Sequence, residues 1–105
     1  MKHIRFGFTP THPGEVLKDE IEYRKISQRV LAEQMGMSYK ILNDILNERR
    51  AVTPTTAMMF EASLGIPAYS LINIQTKYNI QMAHRDVSFM AKLEKIRRMT
   101  SVAVF

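Results

Sequence analysis

The sequence contains no cysteine. This absence excludes disulfide frameworks, thiolate catalysis and zinc sites built on sulfur, and it fits a protein of the reducing cytosol. The sequence also lacks an apolar run near the roughly 18 residues that a membrane span needs. Its first 15 residues have no long apolar segment followed by a small-residue cleavage site. We therefore expect a cytoplasmic protein with no membrane partner.

Glycine and proline are scarce, with four of each in 105 residues. Between them, apolar residues recur at spacings of three and four, which is typical of helices rather than strands. After an extended arm over residues 1–10, the pattern predicts an all-α protein. The last five residues, Ser-Val-Ala-Val-Phe, have strand propensity. The predicted helices cover residues 13–23, 28–35, 39–47, 54–64 and 68–83, with a further helix from residue 88.

Charge of one sign is not concentrated in the first three quarters of the chain. The formal net charge is +5, but residues 1–76 hold nine Lys or Arg against eight Asp or Glu, and residues 77–105 hold six against two. A basic balance favours anionic partners such as nucleic acid. Because most of the excess lies in the tail, net charge does not identify a DNA-binding surface, and local pattern must do so.

Residues 28–45 have the pattern of a helix-turn-helix. With Gln28 as the first position of a twenty-residue unit, the fifth position needs a small side chain and is Ala32. The ninth begins the turn, where a positive φ favours glycine, and is Gly36. These constraints are independent, and together they predict two packed helices joined by a tight turn. The five positions that must be apolar are also apolar: Leu31, Met35, Met37, Leu42 and Ile45.

In a helix-turn-helix the second helix lies in the major groove with its N-terminal side chains toward the base edges. Lys40 can donate to guanine, Asn43 can pair with adenine, and Tyr39 can contact a phosphate or a thymine methyl. Arg49 and Arg50 follow this helix and would neutralise phosphates. The predicted DNA-binding residues, with Gln28 placed for a phosphate, are Gln28, Ser38, Tyr39, Lys40, Asn43, Arg49 and Arg50. The same side chains are also common on solvent-exposed surfaces that bind nothing, so a helix pair without a role in DNA binding remains an alternative.

Three further segments flank the helix-turn-helix. They are Thr-His-Pro-Gly-Glu-Val-Leu at 11–17, Arg-Ala-Val-Thr-Pro-Thr-Thr-Ala at 50–57 and Asn-Ile-Gln at 73–75. Together with the helix-turn-helix they resemble the HigA-type antitoxins of the phage-repressor (Xre/Cro) superfamily. The resemblance covers about residues 11–80.

The resemblance implies a five-helix lambda-repressor-like DNA-binding domain, here residues 11–84. The charge count and the helical pattern from residue 88 predict a basic C-terminal helical extension over residues 85–105. It also implies a homodimer formed through the later helices, here residues 68–80. The expected partners are a palindromic double-stranded operator upstream of its own operon and a HigB-type toxin that cleaves messenger RNA at the ribosome. The expected function is therefore that of an antitoxin and autorepressor in a type II toxin-antitoxin system.

The chain departs from the family pattern at three places. Glu48 stands where the superfamily often has glycine, which affects the loop geometry and puts a negative charge near the expected phosphates. Ser70 and Leu71 stand where the branch usually has an aromatic pair, with Tyr69 as a substitute. The basic tail beyond Arg85 is outside the shared pattern.

Two other functions fit the same residues. One is a stand-alone Xre-family repressor without a toxin partner, and the other is a scaffold or RNA-binding protein that acts through the basic tail. An enzyme is not expected, because no nucleophile has an adjacent base and there is no phosphate loop. His3, His12 and His84 lack metal-ligand spacing and fit cap or surface positions. We expect neither a cofactor nor a metal.

Overall fold

The computed structural model of the chain describes residues 9–104. This part of the chain forms six α-helices and no strand, so the predicted all-α class is confirmed. Each predicted helix end lies within one residue of the observed end. Of the predicted arm, residues 1–8 lie outside the described residues. The helices are α1 (Pro13–Tyr23), α2 (Gln28–Gln34), α3 (Tyr39–Leu46), α4 (Pro54–Leu64), α5 (Ala68–His84) and α6 (Val87–Val104).

Five helices begin at a side chain that satisfies a free backbone N–H of the first turn, and at the start of α6 Asp86 Oδ1 accepts from the Phe89 N–H at 3.0 Å. Ser27, Ser38 and Thr53 accept from the N–H groups of the third residue beyond them, as their residue types favour. Thr53 and Thr56 form a reciprocal capping box. His12 caps α1 through its Nδ1 atom, which accepts from the Gly14 N–H at 2.8 Å. The sequence therefore fixes where these helices start.

One hydrophobic core holds the helices together. Helix α3 packs against α2 and α1, and α5 packs against α4, α1 and α6. The apolar positions of the helix-turn-helix lie in this core, with Met37 partly buried at its edge. The largest side chains buried in the core are Phe60, Leu17, Ile21, Leu31, Leu42, Ile45, Leu46 and Leu71.

The end of the chain differs from the strand propensity of its last residues. Helix α6 continues to Val104. A helix that is already nucleated gains one hydrogen bond for each residue it adds, which outweighs the weak preference of two valines for strands. Among the described residues, none of the helices combines the length and the apolar content that a membrane span requires. The division into a five-helix domain and a basic extension stays a prediction.

Candidate nucleic-acid interface

The turn between α2 and α3 has the geometry that its glycine predicts. Gly36 has a φ of +66°. Its N–H donates to the carbonyl of Glu33, and the N–H of Met37 donates to the carbonyl of Ala32. This pair of bonds is a Schellman motif, which ends α2 and turns the chain directly toward the Ser38 cap of α3. The predicted tight turn is therefore present, and Ala32 is buried at the helix crossing.

Helix α3 divides into a buried face and an outward face. Leu42 and Ile45 are fully buried, whereas Tyr39 and Lys40 are exposed and Asn43 is half-buried. The Lys40 side chain is 82% exposed. Ser38 is exposed at the helix start, but its Oγ accepts from the Ile41 N–H at 3.1 Å. The structure thus places the predicted base-contacting side chains on one accessible face of α3.

Asp44 contacts two of the predicted DNA-binding side chains, Lys40 and Arg49. Its Oδ2 lies 3.2 Å from Lys40 Nζ, and its Oδ1 lies 3.1 Å from both Nε and Nη2 of Arg49. The hydrogen bond from Lys40, assisted by Arg49, lowers the pKa of Asp44 although burial opposes this shift. The carboxylate is therefore ionised at neutral pH. Sequence reasoning missed this residue, although its i,i+4 spacing from Lys40 indicates such a pair.

A second set of contacts links the polar side chains across α3. Arg49 Nη2 donates to Asn43 Oδ1 at 3.0 Å, and Asn43 Nδ2 reaches the Tyr39 hydroxyl at 3.5 Å. The guanidinium of Arg29 lies 4.1 Å from the centroid of the Tyr39 ring, a cation–π contact that sequence reasoning also missed. Tyr39, Lys40, Asn43, Asp44 and Arg49 thus form one connected cluster, called here the α3 network.

Gln28 and Arg50 lie beside this network rather than in it. Gln28 is the first residue of α2 and is half-buried. Arg50 is exposed beyond the end of α3. Within residues 9–104, neither side chain takes part in the bonds of the α3 network. They are the outlying members of the predicted set.

The loop after α3 keeps a left-handed residue although glycine is absent. Glu48 has a φ of +65° and is exposed. Its N–H donates to Ile45, and the Arg49 N–H donates to Asp44, which again forms a Schellman motif. The loop geometry in question is therefore retained, at the cost of a glutamate in a strained conformation. Its carboxylate interacts electrostatically with His12.

The His-Pro-Gly-Glu segment holds α1 against the end of α3. Gly14 is buried, and a methyl group there would collide with the carbonyl oxygen of Ile45. His12 is 2% exposed and packs edge-on against Tyr78 of α5. Burial lowers the pKa of His12, and the Glu48 carboxylate opposes this shift. The segment thus holds the C-terminal end of α3 in place.

The loop before α4 is held in a similar way by α5. The buried side chain of Gln75 accepts from the Val52 N–H at 2.8 Å and donates to Asn79 at 3.0 Å. Val52 is itself buried. The hydrogen bond joins the segment at 50–57 to the segment at 73–75, because Val52 belongs to the first segment and Gln75, in helix α5, belongs to the second. Arg50 extends from this fixed loop.

These features agree with the comparisons with known proteins. The family described as helix-turn-helix matches residues 17–71, which contain α2 and α3 and the seven positions of their packing pattern. The chain belongs to the helix-turn-helix family. A relative from Dichelobacter nodosus, virulence-associated protein I, is 36% identical over 76 residues, which are 71% of this chain and 70% of that protein.

Similar solved structures indicate which branch of the helix-turn-helix family the chain resembles. An addiction module antidote protein of a HigA family from Coxiella burnetii is 32% identical, with a TM-score of 0.72, and the match covers 82% of this chain and 92% of that one. A Pseudomonas aeruginosa protein solved with its operator DNA is 31% identical, with a TM-score of 0.69 and coverage of 73% and 84%. The predicted resemblance to HigA-type Xre proteins is confirmed.

Proposed function

We propose that the chain is a DNA-binding antitoxin of a type II toxin-antitoxin system. In this proposal it represses its own operon and neutralises a HigB-type toxin that cleaves messenger RNA. It acts in the cytoplasm, without a cofactor and without enzymatic activity. The observation that carries the DNA half is the accessible face of α3, where Tyr39, Lys40 and Asn43 lie together opposite the buried Leu42 and Ile45.

The proposed contacts follow from the order of residues along α3. Lys40 and Asn43 lie near its N-terminal half and reach base edges, and Tyr39 contacts a phosphate or a thymine methyl. Ser38 and Gln28 lie at helix starts and approach the phosphate backbone. Arg49 and Arg50 lie beyond α3 and neutralise phosphates. The Pseudomonas aeruginosa neighbour was solved with its operator DNA, which supports DNA binding by this fold.

The toxin half of the proposal is supported by the antidote protein from Coxiella burnetii. An antitoxin of this type acts as a homodimer, and we propose residues 68–80 as its centre. Exposed apolar side chains on this segment and after it support an interface here, because a dimer would remove them from water. They are Tyr69, Ile80, Met82, Phe89 and Ile96.

Two experiments test the two halves of the proposal separately. The first measures binding of the chain to a duplex taken from the region upstream of its own gene, against a scrambled duplex of the same composition. We expect tighter binding to the upstream duplex, and equal binding would refute the repressor. Deleting residues 86–105 should preserve this preference. If deletion abolishes it, the function lies in the tail.

The second experiment expresses the product of the adjacent gene with and without this chain. We expect growth arrest by the neighbour alone, relief on co-expression and a complex that co-purifies. If growth arrest persists and no complex forms, the antitoxin half fails while the repressor half can still stand.

A further inference from the structure

The α3 network contains a carboxylate that no DNA-contact role uses. Asp44 belongs to the recognition helix, yet its side chain is only 13% exposed, whereas Lys40 and Arg49 beside it are 82% and 58% exposed. Both cations contact it, and each contact is within 3.2 Å. A carboxylate facing a DNA backbone repels phosphate. Asp44 therefore needs a role other than direct contact with DNA.

The contacts of Arg49 suggest what that role is. Arg49 donates to Asp44 Oδ1 through Nε and to Asn43 Oδ1 through Nη2, so one guanidinium joins the buried carboxylate to the half-buried amide. The planar fork of an arginine makes both bonds in a fixed relative geometry. Asn43 Oδ1 is thereby engaged, and Nδ2 donates one hydrogen to the Tyr39 hydroxyl at 3.5 Å, which leaves its second hydrogen for another acceptor.

We propose, on the basis of the function proposed above, that Asp44 is a positioning residue for sequence recognition. Through Arg49 it fixes the orientation of the Asn43 amide, so that Nδ2 faces the groove and seeks an acceptor, such as purine N7 or guanine O6. It also holds the otherwise flexible Lys40 side chain over one part of the helix. Ordering both groups before binding lowers the conformational entropy lost on association.

The same carboxylate limits binding to the wrong sequence. It offsets one of the two positive charges of Lys40 and Arg49, and non-specific affinity for DNA depends on how many phosphates the cations neutralise. On a correct sequence, the ordered base contacts compensate for the lost attraction. The repulsion itself acts on every sequence alike, so the difference between the two affinities comes from the ordering of Asn43 and Lys40.

The test compares two duplexes with the full chain. One is the duplex most enriched when the wild-type chain selects from a randomised pool, and the other is a scrambled duplex of the same composition. For Asp44→Asn we expect the ratio of the two affinities to fall by roughly tenfold, the discrimination of one good base contact. Affinity for the scrambled duplex should rise. Glu94→Gln is the matched control, since it removes a carboxylate paired with Arg97 on α6.

A double-mutant cycle separates positioning from a structural effect. If Asp44 acts through Arg49, Asp44→Asn has little further effect on the ratio in an Arg49→Ala background. A ratio that stays at the wild-type value in Asp44→Asn overturns the proposal, as does an equal loss in both backgrounds. Should Asp44→Asn fail to fold, Arg49→Ala alone decides, because its exposed side chain can be removed without opening the core, and an unchanged ratio again overturns the proposal. If the wild-type chain enriches no sequence, the proposed DNA function itself fails.

Discussion

The imidazole of His12 packs edge-on against the ring of Tyr78, with 4.8 Å between the ring centroids and 80° between the planes. The same imidazole accepts the Gly14 N–H at Nδ1, which requires that this nitrogen carry no proton. One buried side chain therefore caps α1 and joins it to α5. Because α1 in turn packs against α3, the packing that holds α3 in place depends on the protonation state of His12.

Stability should fall as the pH drops below about 6.5, the ordinary pKa of histidine. Burial lowers the pKa of His12 in the folded chain, so below pH 6.5 the unfolded chain takes up the proton first and unfolding is favoured. Above this pH His12 is neutral in both states and contributes no slope. Thermal unfolding followed by circular dichroism between pH 7.5 and 5 measures the effect.

Two variants assign this pH dependence to one residue. His12→Asn keeps a cap acceptor but cannot titrate, so its unfolding temperature should be lower overall and vary less over the same range. His84→Asn changes an exposed histidine at the end of α5 and should keep the wild-type slope. The interpretation is wrong if His12→Asn has the wild-type slope.

Gly14→Ala should lower the free energy of unfolding by about 2 to 3 kcal/mol, because the added methyl group meets the Ile45 carbonyl and forces α1 away from α3. Chemical denaturation measures the change. Gly65→Ala is the control, since Gly65 has a φ of +77° with open space around it, and strain alone costs about 1 kcal/mol there. Equal losses in the two variants would contradict a close approach of α1 to α3.

Glu48→Gly should raise the free energy of unfolding by about 1 kcal/mol, since glycine adopts a φ of +65° without steric cost. Glu48→Ala removes the same carboxylate and retains the strain, so it should not stabilise the chain. Both variants should bind DNA more tightly than the wild type, because both remove a negative charge and a more basic chain attracts phosphates more strongly. Denaturation and binding measured on the two variants thus separate backbone strain from charge.

The helix boundaries could be predicted because most of them are encoded by one or two neighbouring residues. Ser27, Ser38 and Thr53 cap helices in almost any context, and Gly36 and Gly65 favour left-handed ends. Lys25 and Glu48 take the same left-handed geometry without glycine. Local propensity disfavours that conformation for both residues. The tertiary packing of the helices on each side overrides it.

The site could be predicted only in part, for a related reason. The exposed face of α3 follows from the helical period, which separates Lys40 and Asn43 from Leu42. The contacts that support this face from the rest of the fold depend on where distant segments meet, as when His12 meets Tyr78 or Val52 meets Gln75. Asp44 falls between these cases. Its spacing from Lys40 is visible in the sequence, but its burial and its contact with Arg49 depend on the course of the loop after α3.

Arg50→Ala should weaken binding to all DNA sequences by a similar factor and lower the slope of log affinity against log salt by about one, because one phosphate contact is lost. Fluorescence anisotropy over a series of salt concentrations measures the slope. Lys92→Ala removes the same charge from α6 and should leave the slope unchanged. An equal change of slope in both variants would contradict phosphate binding by the helix-turn-helix alone, because the tail would then contribute equally.

The most direct test of the account is the sequence preference of Asn43→Ala and Lys40→Ala. Each variant and the wild type bind the selected duplex and a set of duplexes that each change one base pair. If α3 reads bases, each variant loses about 1 to 3 kcal/mol on the selected duplex and stops discriminating at the base pair it contacted. If both variants keep the wild-type preference at every position, α3 does not read the sequence and the central claim is wrong.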